Sequence, residues 1–323
     1  MYSITKTKLD NQTITAMAKK AFPDKEIASI KEVGDGYFSS VYDIHFVCGQ
    51  ECILKVAPPK EIRVQYYECN AMETEVAAIR MVAEKADVPV PAIYLYDNSG
   101  TVCPSPYFFM EKLKGSSIGS LGDLLTEEQK KDLQTALGRF IRVFHNITGE
   151  RFGYPGQPDL QGENWFDVFR RMLQMAVKEA QDMSVDLKIS IPALWACLER
   201  DSAIFDSVKT PRLVHWDLWD PNIFVESGKF TGIIDWERSL WADPLMEFGY
   251  WTCGRTPYFL EGYGKERLSE PENRRLLWYI IYALLLFAPE YIFRQYDSAD
   301  MYHWAIGLLA EKFADLQNAP NIG

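Results

Sequence analysis

The chain has 323 residues, 34 Lys plus Arg against 45 Asp plus Glu, a net charge of −11, and 47% hydrophobic residues. That length exceeds what one hydrophobic core usually serves, so two lobes are expected, and the composition is that of a packed protein, not a disordered one. The acidic balance argues against the basic stripe of a nucleic-acid binder and would suit a cationic small substrate, although acidic enzymes are common.

Strand signals dominate the first third, with one helix among them. Between Ile30 and Phe46, Gly34-Asp35-Gly36 precedes the apolar alternation of Val41 to Phe46, which predicts a strand, a tight turn and a second strand; Cys52 to Val56 reads as a third, with Lys55 inside it. Met72 to Lys85 has a helical period and stops before Val88-Pro89-Val90-Pro91, and two more strands are expected over Ala92 to Tyr96 and Tyr107 to Glu111. From Lys114-Gly115 onward the pattern turns mainly helical. Thr126 and Gln129 form a capping box ahead of a stripe of Leu133, Leu137, Ile141 and Phe144. Helix is predicted again from Trp165 to Asp201, with loops over Pro155 to Pro158 and near Pro192, and once more from Pro271 to the end. The apolar run Leu276 to Ala288 is too short to span a bilayer and reads as a buried helix, so no membrane is expected. A small β-rich lobe, residues 1–112, is thus followed by a larger α-rich lobe, residues 113–323: an α+β chain.

Cys48, Cys52, Cys69, Cys103, Cys197 and Cys253 form no CxxC pair and fit neither a zinc site nor a disulfide framework. With no signal peptide at the start, free thiols and a cytoplasmic location are expected. His45, His145, His215 and His303 are too scattered for a metal cluster, and His145, closing an amphipathic helix, reads as a packed, hydrogen-bonded side chain. Oligomeric state has no signature.

The stretch Leu213 to Phe248 carries the chemistry. Ile223 to Val225 and Phe230 to Ile234 are two apolar strands around a Ser227-Gly228 turn, which pairs Glu226 with Lys229 and Asn222 with Ile233. Asp217, Asn222 and Asp235 then converge at one end of a short ribbon. Neighbouring carboxylates repel unless a cation sits among them, and magnesium, which takes one or two protein oxygens and completes its shell with phosphates and water, is the natural guest. Asp-x₄-Asn followed by Asp after a hairpin matches the division of labour in phosphoryl transfer.

This segment resembles the signature of the aminoglycoside phosphotransferase and choline kinase superfamily, relatives of the protein kinases, whose catalytic loop reads His-Gly-Asp-x₄-Asn and whose later Ile-Asp-Trp/Phe-Glu replaces Asp-Phe-Gly. The resemblance implies a two-lobed protein-kinase-like fold: a small antiparallel sheet with one key helix, then a helical lobe. It implies Asp217 as catalytic base, Asn222 and Asp235 as Mg²⁺ ligands, and His215 as a scaffold of the loop. Ala242 to Phe248 resembles the family's Asp-Pro-x-x-Asp stretch. Trp216 stands where Gly is usual and would crowd the substrate side of the loop; Glu247 stands where Asp is usual and preserves the charge.

The first lobe provides a check. Glu75 shares a helix stripe with Ile79 and Val82, and Lys55 is the lone charge in its strand, so burying either alone is costly. Pairing them removes both penalties and aims Lys55 at the nucleotide's α- and β-phosphates, as a kinase fold requires. Gly34, Gly36 and Ser39 lie in a Gly-rich turn whose amides could cover phosphates. By resemblance the backbone of Glu111 and Leu113 would bond the purine of ATP, with GTP not excluded. The implied partners are a nucleotide and a small hydroxyl compound: an aminoglycoside, macrolide, choline, amino alcohol or sugar. Trp165, Trp219, Trp241 and Trp251 are candidate pocket aromatics, and Glu163, Asp167, Asp220, Asp243 and Glu247 a candidate acidic rim. A protein kinase is disfavoured, because Asp-Phe-Gly and Ala-Pro-Glu are missing and Asp235 runs almost directly into Asp243-Pro244. A binding module disabled by Trp216 is the remaining alternative.

Overall fold

The computed structural model describes residues 3–34, 36, 38–249 and 257–322, without the side chains of residues 123, 248 and 249. Strands β1 (Ile27–Val33), β2 (Ser40–Phe46), β3 (Glu51–Val56), β4 (Ile93–Asp97) and β5 (Tyr107–Glu111) form one antiparallel sheet in the order β1-β2-β3-β5-β4. Along β2, Ser40, Tyr42, Ile44 and Phe46 are buried while the residues between are half exposed, the period of two that makes a strand with one covered face. Tyr42, Ile44 and Phe46 join Leu54, Val56 and Phe109 in a core beneath helix α1 (Asn11–Ala21). α1 was not expected. It is short, and only Ile14, Met17 and Ala18 reach the core, too few turns to establish a period. On the other face, α2 (Ala71–Lys85) packs Met72 and Val76 against Phe108 and Met110.

The rest is mainly helical: α3 (Ile118–Leu121), α4 (Glu127–Phe144), α5 (Trp165–Asp182), α6 (Ile191–Arg200), α7 (Leu245–Gly249), α8 (Pro257–Tyr263), α9 (Glu270–Phe293) and α10 (Asp300–Asn318). The Thr126–Gln129 capping box opens α4 as expected. Pro192, assigned to a loop, sits in the first turn of α6, where its missing N–H has no helical partner to lose. The run Leu276 to Ala288 lies within the 24-residue α9, a helix long and apolar enough to cross a membrane, but 83% of its most apolar window is buried inside the fold. A helix apolar on all sides becomes the centre of a core, and around α9 pack residues of α5, α7 and α10.

Short strands complete the architecture. β6 (Ser116–Ser117), β8 (Ile223–Glu226) and β9 (Lys229–Ile233) form a three-stranded sheet, and β7 (Arg212–Val214) pairs antiparallel with β10 (Leu240–Ala242). Two or three residues are too few for an alternation to show, so β6, β7 and β10 were not expected. Gly115 enters β6 at φ 82, and a Cβ there would lie 2.0 Å from the Val225 carbonyl oxygen, so only glycine fits. The whole is the expected two-lobed protein-kinase-like α+β fold.

A crossing segment helps to tie the lobes together. After β3 the chain crosses to the helical lobe before α2 begins: Gln65 Nε2 donates to the Leu286 carbonyl at 2.8 Å, the Tyr66 N–H to Glu179 at 2.6 Å, and Glu68 pairs with Arg294 at the end of α9. This crossing delivers Tyr67, which meets the ring of Trp216 edge-on at 6.1 Å.

Candidate active site

Lys55 points from β3 into the space between the lobes and is only 4% exposed. Its Nζ lies 2.7 Å from Glu75 Oε2, 2.8 Å from Asp235 Oδ1 and 3.0 Å from Glu237 Oε2. The expected Lys55–Glu75 pair is present, and two further carboxylates join it. Burial works against the Lys55 charge, but Asp235, Glu237 and Glu75 together outweigh it and hold the ammonium well above its ordinary pKa. Burial dominates at Glu75, and despite Lys55 its carboxyl is pushed up to about 8. Among the described residues its Oε1 has no hydrogen-bond partner. At Asp235 burial also opposes ionisation, but Lys55 prevails and holds the carboxyl below its usual range.

The second group is the loop from β7 to the hairpin. Asn222 Nδ2 donates to the Asp217 carbonyl at 2.9 Å and reaches Asp217 Oδ2 at 3.3 Å. The Asp217 N–H donates to His215 Nδ1 at 3.1 Å, which fixes the tautomer: Nε2–H donates to the Ile234 carbonyl at 2.9 Å, immediately before Asp235. His215 therefore connects the Asp217 loop to the Asp235 turn, the scaffold role expected of it. Its burial lowers its pKa, against the opposing pull of Glu247, and keeps the ring neutral.

The hairpin corrects one expected pairing. Ser227 and Gly228 have φ 51 and 75, the left-handed pair of a two-residue turn, and Glu226 does face Lys229. The register then shifts: Val225 faces Phe230 but Phe224 faces Gly232, so Thr231 is an extra residue on β9 and Ile233 faces Ile223, not Asn222. The Asn222 carbonyl instead accepts the Ile234 N–H at 3.0 Å, which still places Asn222 beside Asp235 in the fold.

Trp216 has φ 60, a conformation that glycine adopts freely. Its indole, expected on the substrate side of the loop, is turned into the core. It is 2% exposed, stacks on Tyr282 with ring centroids 5.3 Å apart, and is flanked by Tyr67 and Tyr154. Glu247 explains how the strained turn is held: it accepts the His215 N–H at 2.7 Å and the Trp216 N–H at 3.0 Å. His145 is 3% exposed, shares a 2.9 Å bond with the Tyr263 hydroxyl, and stands 3.6 Å from Glu247, a packed histidine as expected.

Other predicted residues are placed less closely. Gly34, Gly36 and Ser39 are described, but their neighbours at 35 and 37 are not; the Gly34 carbonyl accepts from Lys6 Nζ at 3.2 Å. The Glu111 N–H goes to the Ala92 carbonyl at 2.8 Å. Leu113 packs on Gly232, where a Cβ would approach its Cδ1 to 2.4 Å. Of the aromatics, Trp165 is core, Trp219 and Trp241 are half-buried, and Trp251 lies outside the described residues. The acidic rim does not assemble as a set. Asp243 is buried against Arg275 and Tyr279, and Glu247 under the loop, while Glu163, Asp167 and Asp220 are exposed.

Two residues of the turn after Asp235 escaped notice. Glu237, within the Ile-Asp-Trp-Glu stretch, completes the Lys55 cluster at 3.0 Å, and Trp236 beside it is fully buried. Arg238 places Nη1 3.9 Å from Asp217 Oδ1, with its guanidinium over the rings of Tyr67 at 5.3 Å and Phe287 at 5.6 Å.

Residues 29–277 match the model of the phosphotransferase enzyme family. Among curated proteins, the Clavilactone A biosynthesis cluster protein Y of Ampulloclitocybe clavipes is 23% identical over 217 residues, 58% of this chain and 54% of that protein, so the match spans about half of the relative's length. Among solved structures, a thermostable mutant of aminoglycoside phosphotransferase APH(4)-Ia, in a ternary complex with AMP-PNP and hygromycin B, superposes with a TM-score of 0.68 at 16% identity, covering 95% of this chain and 100% of that one. APH(2")-IIia in its GDP and kanamycin complex gives a TM-score of 0.63 at 18% identity, covering 94% and 98%. At such identities these structures speak for the fold.

Proposed function

Because the chain belongs to the phosphotransferase enzyme family, we propose that it transfers the γ-phosphate of ATP to a hydroxyl of a small molecule, with GTP as an alternative donor. The observation that carries this reading is Lys55, held at 2.7 Å by Glu75 and at 2.8 Å by Asp235, beside a loop that packs Asn222 against Asp217. Residues 1–112 would bind the nucleotide and residues 113–323 the acceptor.

The geometry supports the following roles. Lys55 has three N–H donors, now all on carboxylates, and would exchange one of them for a phosphate oxygen of the nucleotide. Glu75, on α2, keeps the lysine aimed. Gly34, Gly36 and Ser39 would cover the phosphates with backbone amides. At the purine, the Glu111 N–H is engaged by Ala92, so the Glu111 carbonyl and the Leu113 N–H are the atoms this reading uses.

Asn222 and Asp235 fit Mg²⁺: both offer oxygen, and the Asp235 side chain is 36% exposed. Among the described residues no three His, Cys, Asp or Glu side chains are arranged to hold a metal by themselves, so phosphate oxygens would complete the shell. When bound, Mg²⁺ supplies charge neutralisation for the triphosphate. Asp217 then accepts the acceptor's hydroxyl proton as that oxygen bonds to γ-phosphorus, and the bond from γ-phosphorus to the β-bridging oxygen breaks to release ADP. Asn222 and His215 keep the Asp217 carboxylate and backbone in place through that step. Most of the rate gain would come from positioning and charge.

The acceptor is open between an aminoglycoside, as bound in the solved neighbours, and another metabolite or antibiotic, in line with a relative from a biosynthesis cluster. Magnesium-dependent ADP release, screened with aminoglycosides, macrolides, amino alcohols and sugars, tests the reading. Acceptor-dependent release in at least one class is expected. Failure of Mg·ATP to bind at all by calorimetry would refute it.

A further inference from the structure

Backbone amides can cover a phosphate only where their turn is held still, and a turn built on Gly34 and Gly36 has little stiffness of its own. Its support comes from both lobes. On the sheet side the N-terminal segment ties it down: Lys6 Nζ donates to the Gly34 carbonyl at 3.2 Å, and Ser40 Oγ to the Thr7 carbonyl at 2.8 Å. On the helical side stands Arg294, the residue that caps α9, whose guanidinium lies over the Phe38 ring at 4.7 Å. The N-terminal segment reaches that cap too, since the Ile4 N–H donates to the Arg294 carbonyl at 3.3 Å.

Arg294 and Phe38 are both buried. A buried guanidinium needs its charge and its donors answered. The charge is answered twice, by Glu68 of the crossing segment and by Glu290 one turn back on α9, whose Oε1 is 3.4 Å away. Both contacts use Nη2; among the described residues, Nε and Nη1 have no hydrogen-bond partner. Unpaired buried donors are costly, and the Phe38 ring is what the fold sets against them, because a cation–π contact strengthens when water is excluded. A lysine could also serve the two carboxylates; flat stacking on a ring is what arginine adds. The arrangement extends toward the proposed base. Glu68 follows Tyr67, whose ring carries Arg238 beside Asp217. Phe38 and the catalytic loop therefore lean on the same crossing segment.

On the phosphotransferase reading, we propose that Arg294 is a positioning residue: by holding Phe38 from the helical lobe, it fixes Gly34, Gly36 and Ser39 over the nucleotide's phosphates.

Calorimetric Mg·AMP-PNP affinity of the full chain tests this, first on variants of Phe38, which leave Arg294 paired with its glutamates. Phe38→Ala is expected to weaken binding about tenfold, and Phe38→Leu, apolar but without a π face, about three- to fivefold; Phe38→Tyr should stay within about twofold of wild type. Arg294→Lys keeps a cation between the carboxylates and should lose about threefold. Combined with Phe38→Ala, it should bind no more weakly than Phe38→Ala alone, since both changes remove one contact. Adenosine has no phosphates to cover, so its affinity, read by displacement of AMP-PNP, should fall no more than about twofold in any variant. A general loss of structure would weaken both ligands. Thermal melting of each variant checks that it is folded, and if Arg294→Lys is not, the Phe38 series decides by itself. Phe38→Leu binding like wild type, adenosine weakened as much as AMP-PNP, or losses that multiply in the double variant overturns the proposal. Wild-type saturation with Mg·AMP-PNP separates the two levels: where it occurs and the Phe38 series is flat, the positioning role alone falls, and where it does not occur, the kinase reading falls with it.

Discussion

At the sheet end of the cleft one ammonium faces three carboxylates; at the loop end the N–H groups of His215, Trp216 and Asp217 and the Asn222 amide go to neutral acceptors or to a single buried carboxylate. The first region carries excess negative charge, and there burial, joined by Asp235 and Glu237 against the pull of Lys55, raises Glu75 to about 8. The second is closed on itself: His215 bridges the Asp217 N–H to the Ile234 carbonyl, and Glu247 clamps the strained turn. The difference assigns distinct tasks. A cluster short of positive charge is poised to rearrange when a metal–nucleotide arrives, whereas a saturated loop holds a carboxylate still.

Removing the cation is expected to have the largest effect. Lys55→Met should lower turnover about 10²- to 10³-fold, as loss of one preorganised charge donor does, and should weaken Mg·ATP binding. Without Lys55 the buried carboxylates would hold protons more firmly than the unfolded chain does, so the folded state would bind more protons between about pH 5 and 8. The stability of this variant should therefore fall as pH rises through that window, which urea unfolding at several pH values will show.

Trp216→Gly sets two terms against each other. Glycine would relieve the φ of 60, worth about 1–3 kcal/mol, but loss of the buried indole from its stack on Tyr282 costs about 3–5 kcal/mol. A net loss of stability is expected; an unchanged melting temperature would show that strain balances packing, and a raised one that it outweighs it.

A smaller effect is expected from pH at His215. Burial depresses its folded pKa below the ordinary 6.5, so its contribution is fully present above about pH 6.5 and is lost as pH falls through the folded value. His215→Gln should flatten that acid limb in denaturation curves compared with the wild type. An identical limb in both would place the titration elsewhere.

The sheet-end pair was legible because burial is unforgiving: a charge alone in strand β3 and a carboxylate on the inner stripe of α2 each need a partner. Asp217, Asn222 and Asp235 were legible from spacing around a hairpin. The slip of one residue at Thr231 was not, since a bulge leaves no mark in an apolar alternation so short. Nor was the fate of Trp216, because the sequence gives no φ, and it is φ that turns the indole toward Tyr282. Arg238 and Glu237 lay in plain view beside Asp235, yet their roles depend on Lys55, Tyr67 and Phe287, brought in from β3, the crossing segment and α9. The strands β7 and β10 pair across the chain with three residues each, too few for an alternation to show in the sequence.

The central claim is that the still loop carries the proton-accepting carboxylate while the sheet-end cluster serves the nucleotide. Measuring Mg·ATP affinity and acceptor-dependent ADP release on the same Asp217→Asn protein tests it most directly. Affinity within about threefold of wild type, with release reduced about 10²- to 10⁴-fold, is the expected result. Release at the wild-type rate, or nucleotide affinity lost together with release, would contradict it.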